Sequence, residues 1–83
     1  GFMPGVWHNA ALKRYEWSEA GEIAVAEYAH DGARLILTHV IVPRALENRG
    51  IGSALVKAAL EDARARGVRV VPQCSFAAAY LKR

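Results

Sequence analysis

Hydrophobic and polar positions change their spacing about halfway along the chain. In the first half, apolar side chains form short runs that turn residues separate, which is typical of strands joined by hairpins. Residues 11–17 and 22–30 predict two such strands, and Asp31-Gly32 after them is one of the strongest short hairpin signals. Residues 34–42 are almost continuously apolar and rich in β-branched side chains, so they predict a third strand that is buried on both faces.

In the second half the spacing becomes helical. Residues 51–66 place apolar side chains at positions i, i+1, i+4, i+5 and i+8, with polar side chains on the opposite side. Gly67 follows where a left-handed C-terminal cap belongs, so this segment predicts an amphipathic helix. Residues 68–71 predict a short strand that ends at Pro72, and the alanine-rich residues 75–83 predict a second, short helix.

The order of these elements predicts an α/β (α+β) fold. We expect a compact sheet of about four strands, three antiparallel and then a parallel β-α-β unit with a right-handed crossover, plus a short C-terminal helix. Because Pro72 has no amide hydrogen, the last strand is expected at an edge, parting from its neighbour near their carboxyl ends. Ligands of α/β sheets commonly bind beyond such ends, where His39–Val42 and Gln73–Cys74 lie.

The amino-acid composition excludes a disordered chain and a membrane-spanning helix. A chain of 83 residues forms one domain, residues 1–83, of which we expect residues 1–8 to be flexible or tag-derived. The 53% hydrophobic and 23% charged residues exclude a disordered chain. No run approaches the roughly 18 consecutive apolar residues of a membrane helix. One cysteine and no secretory signal favour a reducing compartment, the cytoplasm.

The formal net charge of +3 is unevenly distributed. Residues 1–43 carry three basic and five acidic side chains, a net charge of −2, whereas residues 44–83 carry eight basic and three acidic ones, a net charge of +5. This asymmetry indicates an anionic partner for the second half: nucleic acid, a membrane surface or a phosphorylated small molecule. Nucleic acid fits poorly, because Lys57 and Arg64 on the helix are interleaved with Glu61 and leave no basic face.

The segment between the third strand and the first helix carries the candidate chemistry. Residues 42–53, VPRALENRGIGS, leave a strand, pass through a loop with Gly50 and Gly52, and open the helix. Glycines let a backbone approach an anion closely, and the free amides and dipole of a helix N-terminus bind it. Arg49 adds a charge that can pair with phosphate. The alternative is that the two glycines only permit a tight turn.

These residues resemble the acetyl-CoA-binding core of the GNAT acyltransferases, whose loop pattern, Q/R-x-x-G-x-G/A, falls here on ENRGIG, residues 47–52. Glu47 stands where the pattern has Gln or Arg, and the loop after Pro43 is one residue longer. Over residues 9–83 the chain is more specifically similar to the minimal, stand-alone GNAT domains of the YjdJ-like group. That similarity rests on three blocks: T-H-x-x-V-P at 38–43, R-G-x-G at 49–52 and V-x-P-x-C-S at 70–75.

The resemblance implies that acetyl-CoA, as co-substrate, lies in the gap between the third and fourth strands. The pantetheine arm would bond to the backbone of Val40 and Val42, and the pyrophosphate would lie on the loop. The residues implied for it there are Asn48, Arg49, Gly50, Ile51, Gly52 and Ser53. Arg44 and Lys57 are further candidates for charge, with a solvated surface position as the alternative for each.

Acetyl transfer to an amine needs a deprotonated nucleophile, a polarised thioester and a proton for the leaving thiolate. A strand amide at the gap can polarise the carbonyl. His39 is the candidate base because histidine titrates near neutral pH; the alternative is a histidine packed in the sheet.

Cys74 lies beside the expected thioester, at the start of a helix that favours a thiolate. It could carry the acetyl group, activated by His39, or be a small buried side chain. Tyr80 is a candidate general acid or a packing residue.

The sequence therefore predicts an N-acyltransferase that moves an acetyl group from acetyl-CoA to an amine of a protein, peptide or small molecule. The alternative is a non-catalytic module or partner subunit that binds CoA or acetyl-CoA. We expect no metal, since His8, His30 and His39 lack the spacing of a ligand set, and no membrane partner. We also expect a monomer or a homodimer, with an acceptor site that is open or completed by a second subunit.

Overall fold

The computed structural model describes residues 5–82 and shows one five-stranded sheet with two helices. The strands are β1 (Trp7–Asn9), β2 (Arg14–Glu19), β3 (Glu22–Asp31), β4 (Arg34–Ile41) and β5 (Arg69–Pro72). A 3₁₀ turn (Arg44–Leu46) precedes helix α1 (Ile51–Arg66), and helix α2 (Ser75–Leu81) follows β5. Neither helix is long and apolar enough to cross a membrane.

The strands lie side by side in chain order, with β1 to β4 antiparallel and β5 parallel to β4. The predicted α/β class and the β-α-β unit are confirmed. The predicted number of about four strands is too low, because β1 is only three residues long and gives no periodic signal. Of residues 1–8, expected to be flexible or tag-derived, Trp7 and His8 pair with β2; residues 1–4 lie outside the described residues.

The first strand of the prediction, residues 11–17, begins too early. The structure has a turn over residues 10–13, in which the Lys13 amide donates to the Ala10 carbonyl at 3.2 Å. The Asn9 side chain also accepts a hydrogen bond from the Leu12 amide at 3.1 Å. A side chain that satisfies a nearby backbone amide favours a turn over a strand, so β2 starts only at Arg14.

Helix α1 has the predicted bounds, and its apolar stripe packs on the sheet. Gly67 ends the helix in the left-handed conformation, with φ +71°, and its amide donates to the carbonyls of Ala63 and Arg64. Small side chains on both layers let the helix lie close to the sheet. The buried residues that form this layer contact are Tyr15, Ala24, Ala26, Leu37, Leu55, Val56 and Ala59.

Strand β4 is covered on one face rather than on both, so that part of the prediction is wrong. The core face carries Leu35 and Leu37, and residues of both helices belong to the same core cluster. A bulge follows: His39 lies opposite Glu27 and Leu37 lies opposite Tyr28, which leaves Thr38 as an extra residue. Beyond the bulge, His39 and Ile41 project from the side opposite the helices. We call this uncovered side of the sheet the open face.

A polar cluster joins β1 to the core where the sheet meets α1. The His8 and Tyr15 rings stack at 4.3 Å, and His8 Nε2 hydrogen-bonds with Tyr28 Oη at 2.6 Å. Tyr15 donates to Asp62 Oδ2 at 2.6 Å, and His8 Nδ1 lies 3.5 Å from the same oxygen. Burial and then the hydrogen bond to Asp62 raise the pKa of Tyr15. The cluster therefore stabilises a strand too short to be held by backbone pairing alone.

This cluster predicts that the protein loses stability in mild acid. Burial lowers the pKa of His8 below 6.5; Asp62 opposes this, while Arg66 and His30 add to it. The folded state thus prefers neutral His8, so the free energy of unfolding should fall as the pH drops below 6.5 towards the lowered value. Urea unfolding at pH 7.5 and 5.5 measures the loss. In His8→Gln the loss should be smaller; an equal loss in both proteins would contradict the prediction.

Candidate functional site

The loop between β4 and α1 makes a compact turn around one buried side chain. Leu46, at the end of the 3₁₀ turn, is almost fully buried in the core. Asn48 has φ +62° and Gly50 has φ +77°, so the chain passes twice through the left-handed region before α1 begins. Asn tolerates this region well, and Gly adopts it without strain. The loop sequence therefore matches the backbone that leads into the helix.

The N-terminus of α1 leaves backbone amides available. The first bond of the helix runs from the Ala54 amide to the Gly50 carbonyl at 3.0 Å, so the amides of Ile51, Gly52 and Ser53 precede the helical ladder. Gly50 is the N-cap and offers no side-chain oxygen, and the first turn contains no acidic residue. These amides and the positive end of the helix dipole are a favourable environment for an anion.

A cavity of about 300 Å³ opens beside these amides. Its wall includes six of the residues that the sequence predicts for the cofactor: Val42, Asn48, Gly50, Ile51, Gly52 and Ser53. The other lining residues are Leu46, Glu47 and Phe76. Val40 and Arg49, also predicted, do not line it. The structure thus brings the glycine turn, the end of β4 and the start of α2 to one place.

Phe76 is a wall residue that the sequence did not single out. Its ring lies over Gly52, where a β-carbon would be 2.8 Å from Phe76 Cζ. This contact requires a glycine at position 52 unless the ring moves. It joins residues 24 positions apart on two different helices, and no spacing in the sequence indicates it.

Next to the cavity, β4 and β5 part as the sequence predicts. Their pairing ends with Leu37 opposite Pro72, and the amides of Gln73 and Cys74 both donate to the Leu37 carbonyl, at 3.0 and 3.2 Å. The sheet gives the rest of β4, up to Ile41, no neighbour on this side within residues 5–82. Val40 lies in this stretch with its side chain packed against the core. The exposed backbone edge can pair with an extended chain.

Of the three basic side chains expected near the phosphates, Arg49 is paired with a carboxylate, whereas Arg44 and Lys57 are not within residues 5–82. The Arg49 guanidinium forms two hydrogen bonds with the Glu19 carboxylate, one of them at 3.1 Å from Nη2 to Oε1. The bond from Arg49, and then that from Trp17, lowers the pKa of Glu19. Arg44 and Lys57 are exposed, and within residues 5–82 neither forms an ion pair with a carboxylate.

His39 lies on the open face rather than packed within the sheet. Its side chain is 68% exposed, and its Nδ1 is 3.5 Å from Glu27 Oε1 on the neighbouring strand. The bulge at Thr38 creates this pairing, because it puts His39 directly opposite Glu27. Sequence analysis missed Glu27; the usable signal was the Asp31-Gly32 hairpin, which folds β3 back on β4. A carboxylate at this distance can orient an imidazole.

Cys74 is the N-cap of α2. Its Sγ accepts a hydrogen bond from the Ala77 amide at 3.4 Å, and its side chain packs against the core. His39 is directed to the open face, so within the described residues the two predicted catalytic side chains make no contact with each other.

Tyr80 is half-buried and packs against the same core. In residues 5–82 no group of three or more His, Cys, Asp or Glu could hold a metal ion.

The comparisons with known proteins give a family for most of the chain. The model of a family described as GCN5-related N-acetyltransferase matches residues 14–83, which include β2 to β5, both helices and the glycine loop. No curated protein matches the chain. The family model supports the general GNAT resemblance; the YjdJ-like assignment stays a prediction.

Proposed function

Because the chain belongs to the GCN5-related N-acetyltransferase family, we propose that it transfers an acetyl group from acetyl-CoA to a primary amine. The observation that carries this proposal is the uncapped N-terminus of α1, which borders a cavity beside the unpaired stretch of β4. An anion-binding turn next to a free strand edge suits a ligand that has phosphates and an extended amide-bearing arm.

The residues present fit such a ligand. The amides of Ile51, Gly52 and Ser53 would hold the pyrophosphate, with Asn48 and Gly50 shaping the turn in front of them. The pantetheine arm would pair with the backbone at Val40 and Val42. Bound acetyl-CoA supplies the thioester whose carbonyl carbon the amine attacks, so that a C–N bond forms and the C–S bond breaks.

Charge near the phosphates would come from Arg44 and Lys57 directly, because neither is engaged with a carboxylate within residues 5–82. For Arg49 we propose an exchange: its guanidinium leaves Glu19 and pairs with a phosphate. The pair with Glu19 is exposed, and exposed ion pairs contribute at most about 1 kcal/mol, so a phosphate can compete for it.

His39 would serve as the base. An amine enters as an ammonium ion, and His39 accepts one proton from it and releases that proton to solvent. Glu27, whose Oε1 lies 3.5 Å from His39 Nδ1, would orient the ring for both events. After the attack, the second N–H proton leaves the nitrogen and the departing CoA thiolate gains a proton, so the products are the N-acetyl amide and CoA thiol.

A two-step route through Cys74 is the second candidate. It is favoured by the position of Cys74 at the strand gap and at the N-terminus of α2. The acetyl group would pass to Sγ with release of CoA, and the amine would then take it from the thioester so formed. Direct transfer is favoured because Sγ caps α2 and has no contact with the candidate base. A thiol in either role suits a reducing compartment, and we propose the cytoplasm.

Acetyl-CoA titration with two readouts tests the proposal. Thermal unfolding should show a melting temperature that rises with the concentration of acetyl-CoA and of CoA, because a ligand of the folded state alone stabilises it. Release of CoA thiol should then require an added primary amine. Stabilisation without release from any amine would favour the non-catalytic module, and the absence of both at millimolar acetyl-CoA would end the proposal.

A further inference from the structure

The open face carries two rows of side chains that lead to the strand gap. The backbone register puts Trp7, Glu16, Val25 and Ile41 in one row across β1 to β4. The neighbouring row is Asn9, Arg14, Glu27 and His39. Trp7 and Ile41 are 63% and 52% exposed, which is unusual for large apolar side chains. Both rows end on β4 where it has parted from β5.

We propose that the open face binds the acceptor, and that the acceptor is a lysine-bearing peptide segment with apolar residues near the lysine. The inference rests on the proposed function. The lysine ammonium lies at Glu27 and His39, and the apolar residues lie on Ile41 and Trp7, the two exposed apolar side chains of the row; Val25 between them is buried. The cofactor cavity and this surface meet at the end of β4, because Val42 in the cavity wall directly follows Ile41 of the apolar row.

The charges of the open face fit an ammonium group at one place. Glu16 is already engaged, since Arg14 Nε donates to its Oε2 at 2.5 Å and Asn9 donates to the same oxygen at 3.0 Å. Although burial opposes it, these bonds lower the pKa of Glu16. Among residues 5–82 the Glu27 carboxylate forms an ion pair only with the His39 imidazole and is 38% exposed, while Arg14, opposite Glu27 on β2, pairs with Glu16. The Glu27 carboxylate is therefore the one in these rows left for a cationic partner.

The shape of the surface favours a peptide over a small amine. Small ligands bind in enclosed cavities, whereas this row of side chains lies on a sheet face that the helices leave uncovered. From β4 to β1 the apolar row crosses three strand spacings, about 14 Å, which is the length of about four extended residues. A lysine near β4 would thus place apolar residues within the next few positions on Ile41 and Trp7, which are the exposed apolar side chains of the row.

Matched peptides test the inference. Each peptide has a blocked N-terminus and a single lysine, with either leucine or serine at two nearby positions on one side. We expect the leucine peptide to have a kcat/KM about tenfold higher, the effect of partly burying apolar side chains. Ile41→Ser and Trp7→Ser should each raise KM for the leucine peptide several-fold. They should leave kcat and the stabilisation by acetyl-CoA unchanged.

Leu12→Ser is the matched control, because Leu12 is 58% exposed but lies in the turn before β2. It should not change KM. Equal rates with the two peptides and with ethylamine, or an equal effect of all three substitutions, would overturn the inference while leaving the acetyltransferase in place. The absence of thiol release with every peptide and amine would instead be a failure of the proposed function, and the inference would fall with it.

Discussion

Gly50→Asp is expected to remove most of the stabilisation by acetyl-CoA, whereas Gly50→Asn should retain most of it. The two side chains have the same shape and meet nothing within 4 Å of their β-carbon, and both must adopt φ +77°. They differ by one negative charge in front of the α1 amides. At about 5 Å from a phosphate, such a charge opposes binding by about 3 kcal/mol, or about 100-fold in Kd.

Melting temperatures measure this difference. At a concentration of 100 times Kd a ligand stabilises the folded state by about 2.7 kcal/mol, and a 100-fold weaker ligand by about 0.4 kcal/mol. For a domain of this size, the rise of more than about 10 °C would thus fall to a few degrees in Gly50→Asp.

The unliganded proteins are the control for folding. A carboxylate at a helix N-terminus is favourable, so Gly50→Asp should unfold no earlier than Gly50→Asn without ligand. If acetyl-CoA stabilised both variants equally, the phosphates would not lie on this loop.

The helix was predictable because its signals are local. An apolar stripe and Gly67 define α1 completely, and Pro72 indicates where β5 ends. The bulge at Thr38 was not predictable, because a continuous apolar run has no period in which an extra residue could be detected. Burial of β4 on one face only depends on both helices packing on the same side of the sheet, which no single segment shows.

The same division holds for the candidate site. The glycine turn was predictable, since its function depends on backbone amides that follow from the local sequence. The contacts of the side chains were not: Glu27–His39 depends on the register of a hairpin with a bulge, and Arg49–Glu19 joins positions 30 residues apart. The cap at Cys74 is a local contact at a helix start that was predicted, but cysteine is not among the side chains that N-cap positions prefer, so the sequence did not indicate it.

The uneven charge has a structural counterpart. The half with a net charge of +5 forms the loop and α1, where an anionic co-substrate is proposed. The half with a net charge of −2 forms β1 to β4 and supplies Glu27 to the open face. If both proposals hold, each half of the chain carries a net charge opposite to that of its ligand, acetyl-CoA or the lysine peptide. Such complementary charge would raise the association rate of both ligands.

His39→Gln is expected to lower kcat at least 100-fold, the usual range for loss of a general base, with the stabilisation by acetyl-CoA unchanged. Cys74→Ser should keep kcat within a few-fold, because a serine hydroxyl can replace the thiol as N-cap of α2. Direct transfer needs the imidazole but not the sulfur. Single-turnover release of CoA thiol, measured with a saturating amine, gives both values.

Cys74→Ala distinguishes the role of Cys74 as the N-cap of α2 from a role as an acetyl carrier. It removes both the thiol and the cap, so under direct transfer it should lower the melting temperature by a few degrees but leave kcat close to that of Cys74→Ser. The two-step route predicts the reverse: both cysteine variants would lose kcat as severely as His39→Gln. Without amine, the wild-type protein would then gain the mass of one acetyl group on Cys74. Because Sγ accepts a hydrogen bond from the Ala77 amide and has no contact with His39 within the described residues, we expect no such adduct.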